Sequence, residues 1–205
     1  MHVPLFPLGS VLFPQGVLQL QIFELRYLDM IGRCWRAGQP FGVTLLTQGA
    51  EVARPGTADE TFHQIGTLAH IDDLSSPQSG LMLARCKGTQ RFSIGASDKR
   101  KNGAWVASVE LISDDPDVPV PEHLRVTSQG LEKIYASLSQ SVNAAQLPGK
   151  ALWRFNECAW VANRWCELLP LAPLVRQQLM ALDNPLIRLE LVTDLLQKAP
   201  TPGRQ

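Results

Sequence analysis

Apolar and polar residues alternate strictly through Leu18-Gln19-Leu20-Gln21-Ile22, the period of a strand buried on one face. Upstream the chain is mostly apolar, with no formally charged side chain before Glu24, and is broken by Pro4, Pro7, Pro14, Gly9 and Gly16. A proline inside a helix costs about 3 kcal/mol and removes a backbone bond, so this run predicts short strands joined by turns. It lacks the Lys/Arg-bearing leader of a secretory signal and the roughly 20 helix-compatible residues of a membrane span. From Glu24 to Ala37 the period becomes helical: Leu28, Ile31, Cys34 and Trp35 share one face, with Arg26, Asp29, Arg33 and Arg36 toward water. Glu24 suits the positive end of that helix, Gly38 ends it, and Gly32 within it suggests a close backbone approach.

Strand-like runs follow at 41–46, 65–71, 81–86, 91–96 and 105–112. Between the last two lies Ser97-Asp98-Lys99-Arg100-Lys101-Asn102-Gly103, whose Asn-Gly pair is a hairpin-turn signal that sets the basic triplet Lys99-Arg100-Lys101 on a solvated tip. The acidic, proline-rich stretch Asp114-Asp115-Pro116-Asp117-Val118-Pro119-Val120-Pro121 then marks a change of domain. Everything beyond it has helical period: about 122–140, 155–169 stopped by Pro170, 173–182 opened by Pro173, and 186–198 behind the Asn184-Pro185 start signal. The expected organisation is α+β: a β domain over 1–115 with one helix, a Pro/Asp-rich linker over 116–121, a helical bundle over 122–198 and a flexible tail over 199–205.

Two helical positions carry more than periodicity. In 155–169 the polar residues Asn156, Glu157, Asn163, Arg164 and Glu167 form one arc with Trp160 at its centre, where the indole either packs against the β domain or anchors a partner. In the last helix Arg188 shares a face with Leu191, Val192 and Leu195, so a structural ion pair with a nearby acid, Asp183 or Glu167, is expected.

Composition narrows the function classes. Of 205 residues, 45% are apolar and 19 Lys/Arg balance 19 Asp/Glu, so no global field favours nucleic acid or anionic membrane. Cys34, Cys86, Cys158 and Cys166 have neither CxxC nor a repeating spacing, as expected of buried thiols in a reducing cytoplasm. GxxxxGK[ST], GxGxxG after a strand, GxSxG and HExxH are all absent, and the adjacent Asp72 and Asp73 point to opposite faces of a strand. No catalytic, cofactor-binding or metal-binding residue is assigned.

The motifs in their order do carry a resemblance. Pro4-Leu5-Phe6-Pro7-Leu8, Val11-Leu12-Phe13-Pro14-Gln15-Gly16-Val17-Leu18, Ile22-Phe23-Glu24-Leu25-Arg26-Tyr27, Phe41-Gly42-Val43, Ile65-Gly66-Thr67-Leu68-Ala69 and Gly88-Thr89-Gln90-Arg91-Phe92 resemble the Lon substrate-binding (amino-terminal) domain family. So do Val161-Ala162-Asn163-Arg164, Glu167-Leu168-Leu169-Pro170, Arg176-Gln177-Gln178-Leu179-Met180 and Asp183-Asn184-Pro185-Leu186-Ile187-Arg188-Leu189. Leu25 departs from the proline common after Phe-Glu in that family, which sets helix entry less rigidly. The resemblance implies a PUA-like β pseudo-barrel followed by a helical bundle, and a role in recognising polypeptide or unfolded protein substrates. The expectation is a stand-alone, non-catalytic binding module in a quality-control or adaptor role, without the ATPase and Ser–Lys protease modules of full-length Lon, and, from the opening segment and the cysteines, a cytoplasmic location. Trp160 and Arg91 are the candidate partner contacts. An RNA-binding barrel and an unrecognised hydrolase are the alternatives.

Overall fold

In a computed structural model that describes residues 1–51 and 60–198, strands come first and helices second. The tail over 199–205 lies outside the described residues. The fold is α+β, in two compact units, Met1–Asp114 and Asp115–Gln205.

The first unit holds β1 (His2–Leu8), β2 (Val17–Ile22), α1 (Leu25–Ala37), β3 (Phe41–Gln48), β4 (Thr61–Gln78), β5 (Leu81–Lys99) and β6 (Trp105–Leu111). Five strands close into a pseudo-barrel: β1 runs parallel to β3, and the antiparallel pairs β3–β4, β4–β5, β5–β6 and β6–β1 complete the ring. β2 stands outside the ring and, among the described residues, pairs with β5 alone.

The two runs expected at 81–86 and 91–96 are one strand, β5. Its first half lies between β2 and the end of β4, and its second half between β4 and β6. Register shifts at Thr67/Ala69, Ile71/Asp73 and Ile94/Ser97 let the long strands turn from ribbon into barrel. The polar Gly88-Thr89-Gln90 looks like a break in sequence, but Gly88 is tied on both sides: its N–H donates to Gly16 O at 2.9 Å, and its carbonyl accepts from Gln15 N at 2.8 Å. That clamp brings the Phe13 carbonyl so close that a Cβ on residue 88 would sit 2.2 Å from it. Gly66 is constrained likewise, since its Cβ would fall 2.4 Å from Val43 O and 2.6 Å from Phe92 Cζ. The ring interior is therefore built around Phe92, with Leu5, Leu68 and Val109 packed in the same cluster.

α1 ends as expected, with Gly38 left-handed at φ 61° and Gln39 N donating to Cys34 O. Tyr27, Met30, Ile31 and Cys34 bury against Leu20, Ile22, Ile71 and Ala84 of the ribbon. Gly32 has room for a methyl group, the nearest atoms being 3.5 and 3.8 Å from it, so the expected close approach is not there. Arg26, placed toward water by periodicity, is 8% exposed.

The second unit holds α2 (Arg125–Leu138), α3 (Cys158–Leu168), α4 (Pro173–Ala181) and α5 (Pro185–Lys198). Asn184 caps α5 through its side chain, which accepts from Leu186 N and Ile187 N at 3.0 and 3.2 Å. The segment 116–121, expected as a linker, is fastened to the start of α3: Val120 N donates to Asn156 O and Cys158 N to Val118 O, both at 2.9 Å. Its prolines lack donors, but the valines between them do not. No helix among the described residues is long and apolar enough to cross a membrane.

Candidate functional site

The alternation in β2 sorts its side chains by face. Leu20 and Ile22 point to the core beneath α1, while Gln19 and Gln21 point to water. Cross-strand register carries the outer face over the ribbon in two rows, Gln19–Arg85–Asp73 and Gln21–Leu83–Ser75. Along β2 runs a cavity of about 710 Å³, floored by Phe6 and Leu8 and edged by Phe23 and Leu83. Phe23 is 55% exposed, Leu83 37%, and Leu25 at the entry to α1 83%. Glu24, Glu51 and Asp73 line the same cavity with Arg85 the one cation among its described lining residues, so its rim is predominantly acidic.

Beneath that rim Arg26 is fixed by charge. Its Nε donates to Glu24 at 2.8 Å, one Nη to Glu60 at 2.7 Å and the other to Gly103 O at 3.0 Å, while the guanidinium lies 4.4 Å over the Tyr27 ring. Glu60 also accepts from Trp105 Nε1 at 2.7 Å and sits 3.5 Å from Lys99. Burial pushes the Glu60 carboxyl up, but Arg26, Trp105 and Lys99 outweigh it and hold the group below the ordinary carboxylate range. A satisfied network of this kind positions the groove without offering a reactive group. Lys99 thereby leaves the basic triplet, and only Arg100 and Lys101 stand at the hairpin tip.

In the second unit the expected site residues lie inside. Trp160 is 3% exposed and packs edge-on against Tyr135 and Phe155 at 5.4 and 5.0 Å, so it presents no ring to a partner. Arg91, opposite Thr67 in the ring, is 4% exposed and equally inaccessible. The ion pair of Arg188 is corrected too: it forms with Asp115, at 2.6 Å, the residue just before the segment expected as a linker. Glu167 pairs instead with Arg164 at 2.9 Å, and Asp183 is exposed. The reason is that α3 is buried all round, at Trp160 through Cys166, so its polar arc serves internal charges rather than water.

Burial raises the Glu167 carboxyl to about 7, with Arg164 and Arg176 pulling against the rise. Unfolded, the same group titrates near 4.3. Between these values the folded chain holds a proton that the unfolded chain has released. The protonated form's stabilisation is therefore full below about pH 4 and lost as pH rises through about 7. Glu167→Gln should flatten this dependence, which amounts to roughly 1–3 kcal/mol; melting curves from pH 5 to 8 that keep the wild-type slope would refute it.

Among the described residues no group of three or more His, Cys, Asp and Glu side chains is arranged to hold a metal. All four cysteines are buried, and burial pushes the Cys86 and Cys166 thiols up to about 12, far from a nucleophilic thiolate at neutral pH.

The family model of the ATP-dependent protease La (LON) substrate-binding domain matches residues 2–198. The chain belongs to that Lon substrate-binding domain family. Among solved structures, a Lon N-terminal domain protein from Xanthomonas campestris is 32% identical with a TM-score of 0.72, over 98% of this chain and 99% of that one. The N-terminal domain of Mycobacterium avium complex Lon protease shares the fold, with a TM-score of 0.63 at 14% identity, over 98% of this chain and 100% of that one. No curated protein matches. Within the Lon family assignment the motif glycines acquire a physical meaning: Gly42, Gly66 and Gly88 are places where a side chain would collide with the barrel's own core or backbone.

Proposed function

We propose that this Lon-family chain is a non-catalytic polypeptide-binding module acting in the cytoplasm, and that an extended segment of unfolded protein lies along the outer border of β2. The observation that carries the reading is the conjunction there of a strand bordered, among the described residues, on one side only, a groove of about 710 Å³ and exposed Phe23 and Leu83. A border strand recognises backbone, which every polypeptide has, and flanking apolar side chains add affinity with little demand on sequence. The acidic rim favours apolar segments that carry Lys or Arg. The family's description as the substrate-binding domain of an ATP-dependent protease supports the same reading.

The test is binding of a fluorescent, carboxymethylated, permanently unfolded protein without ATP. Each side chain of phenylalanine or leucine size buried on binding contributes about 1.5–3 kcal/mol. The double variant Phe23→Ser, Leu83→Ser should therefore weaken binding by at least tenfold while its melting temperature stays close to wild type. A folded wild type that binds nothing, or a folded double variant that binds equally well, would overturn the proposal.

A further inference from the structure

A second cavity, of about 1070 Å³, opens in the first unit between the last turns of α1 and the β5–β6 hairpin tip. Arg33 and Arg36 come to it from the helix, Arg100 and Lys101 from the tip, and His2 from β1, and none of its described lining residues is acidic. All five are exposed. In a chain with zero net charge this is a segregation of charge that composition hides. The floor between the cations is apolar, with Met30, Ala104 and Val106 among its lining residues.

We propose that this groove is a site for the phosphate backbone of single-stranded nucleic acid. The cations stand on two walls of an open trough, so a strand lying in it meets positive charge on both sides. A phosphodiester chain satisfies that arrangement at every residue, whereas a polypeptide does so only where Asp or Glu happen to cluster. Three of the cations are arginines, whose planar forks bind phosphate oxygens bidentately. The apolar floor suits the faces of sugars and bases. Arg33 is held at 2.9 Å by Asp29, but that pair is exposed on both sides and is readily exchanged for a phosphate. The hairpin tip is rigid enough to present its pair: Gly103 N donates to Arg100 O, and Arg100 N to Ala104 O, both at 2.8 Å.

The experiment uses a fluorescein-labelled oligouridylate of about a dozen nucleotides and the full chain, with anisotropy read across a salt series. Neutralising three or four phosphates of a single strand gives a slope of log K against log salt of about −2 to −3. Affinity should then fall roughly 20- to 50-fold between 50 and 200 mM salt. Arg100→Glu with Lys101→Glu, on an exposed turn, should abolish binding, as should Arg36→Glu from the opposite wall. Lys133→Glu in the second unit should bind as wild type does. Absence of binding, binding indifferent to salt, or equal binding by the tip variant would overturn the proposal, and so would tighter binding of a polyglutamate peptide than of the oligonucleotide.

Discussion

Replacing Arg188 with methionine should destabilise the second unit by about 3–5 kcal/mol, measured as a drop in urea midpoint on the tryptophan-rich helical half. The guanidinium is 1% exposed, and its five N–H groups are all placed. Nε donates to Leu179 O, one Nη to Asp115 and Asn163, and the other to Asp115 and Leu182 O. Two of those acceptors are carbonyls at the end of α4, where the intrahelical donors run out; Leu179 O also accepts from Leu182 N at 3.3 Å. Removal of the cation takes its cationic partner from Asp115, whose side chain is largely buried, and a donor from each of those carbonyls together. Arg188→Lys should fail almost as badly, because one ammonium cannot reach acceptors arranged around a planar fork. The double variant Arg188→Met, Asp115→Leu should recover a large part of the loss, since the stranded charge goes too. A double variant no better than the single one would show that the carbonyls, rather than the ion pair, dominate.

Gly88→Ala should cost the first unit about 3 kcal/mol or more, at the upper end of overpacking penalties. The obstacle is the Phe13 carbonyl 2.2 Å from the added carbon, and hydrogen bonds on both sides of Gly88 prevent the strand from retreating. Gly66→Ala meets two obstacles, a backbone oxygen and the Phe92 ring, and should behave alike. Gly95→Ala is the control: its methyl group would lie 3.5 Å from Ser108 O, an ordinary separation, so the change should stay below about 1 kcal/mol. Thermal melts that rank Gly95→Ala with the other two would remove the steric explanation.

Local physics explains which parts of this molecule could be read from residues alone. The strand at Leu18–Ile22, the end of α1 at Gly38 and the starts of α4 and α5 depend on neighbours within a few positions, so periodicity and cap residues reveal them. Gly42, Gly66 and Gly88 were visible as motifs, but their reason, a shared collision with Phe92 or Phe13, exists only once four strands are in place. Arg26 has the period of a solvated residue because Glu60, the buried carboxylate that holds it inside together with Glu24, lies 34 residues away. The apolar face of α5 shows that Arg188 needs an acid, but Asp115 lies 73 residues upstream, beyond the nearer Asp183 and Glu167. The outer groove could not be read at all, because nothing local separates Phe23 from Ile22 and Tyr27, or Leu83 from Ala84 and Cys86, which are core. Of the basic trough only the hairpin tip was legible, since its other wall comes from α1, far upstream in the chain.

The strand order also dictates when the barrel can exist. His2 faces Ser108 and Leu5 faces Trp105, so the first strand of the unit is sealed by the last. Contacts of such sequence separation carry a large loop-closure entropy and form slowly. During synthesis β1 can pair with β3 and Phe6 can meet Tyr27 and Phe41, but the ring stays open along Val3 and Leu5 until β6 has emerged. The hairpin of β4 and β5, whose partners are adjacent in sequence, supplies the early structure on which that late closure can take place.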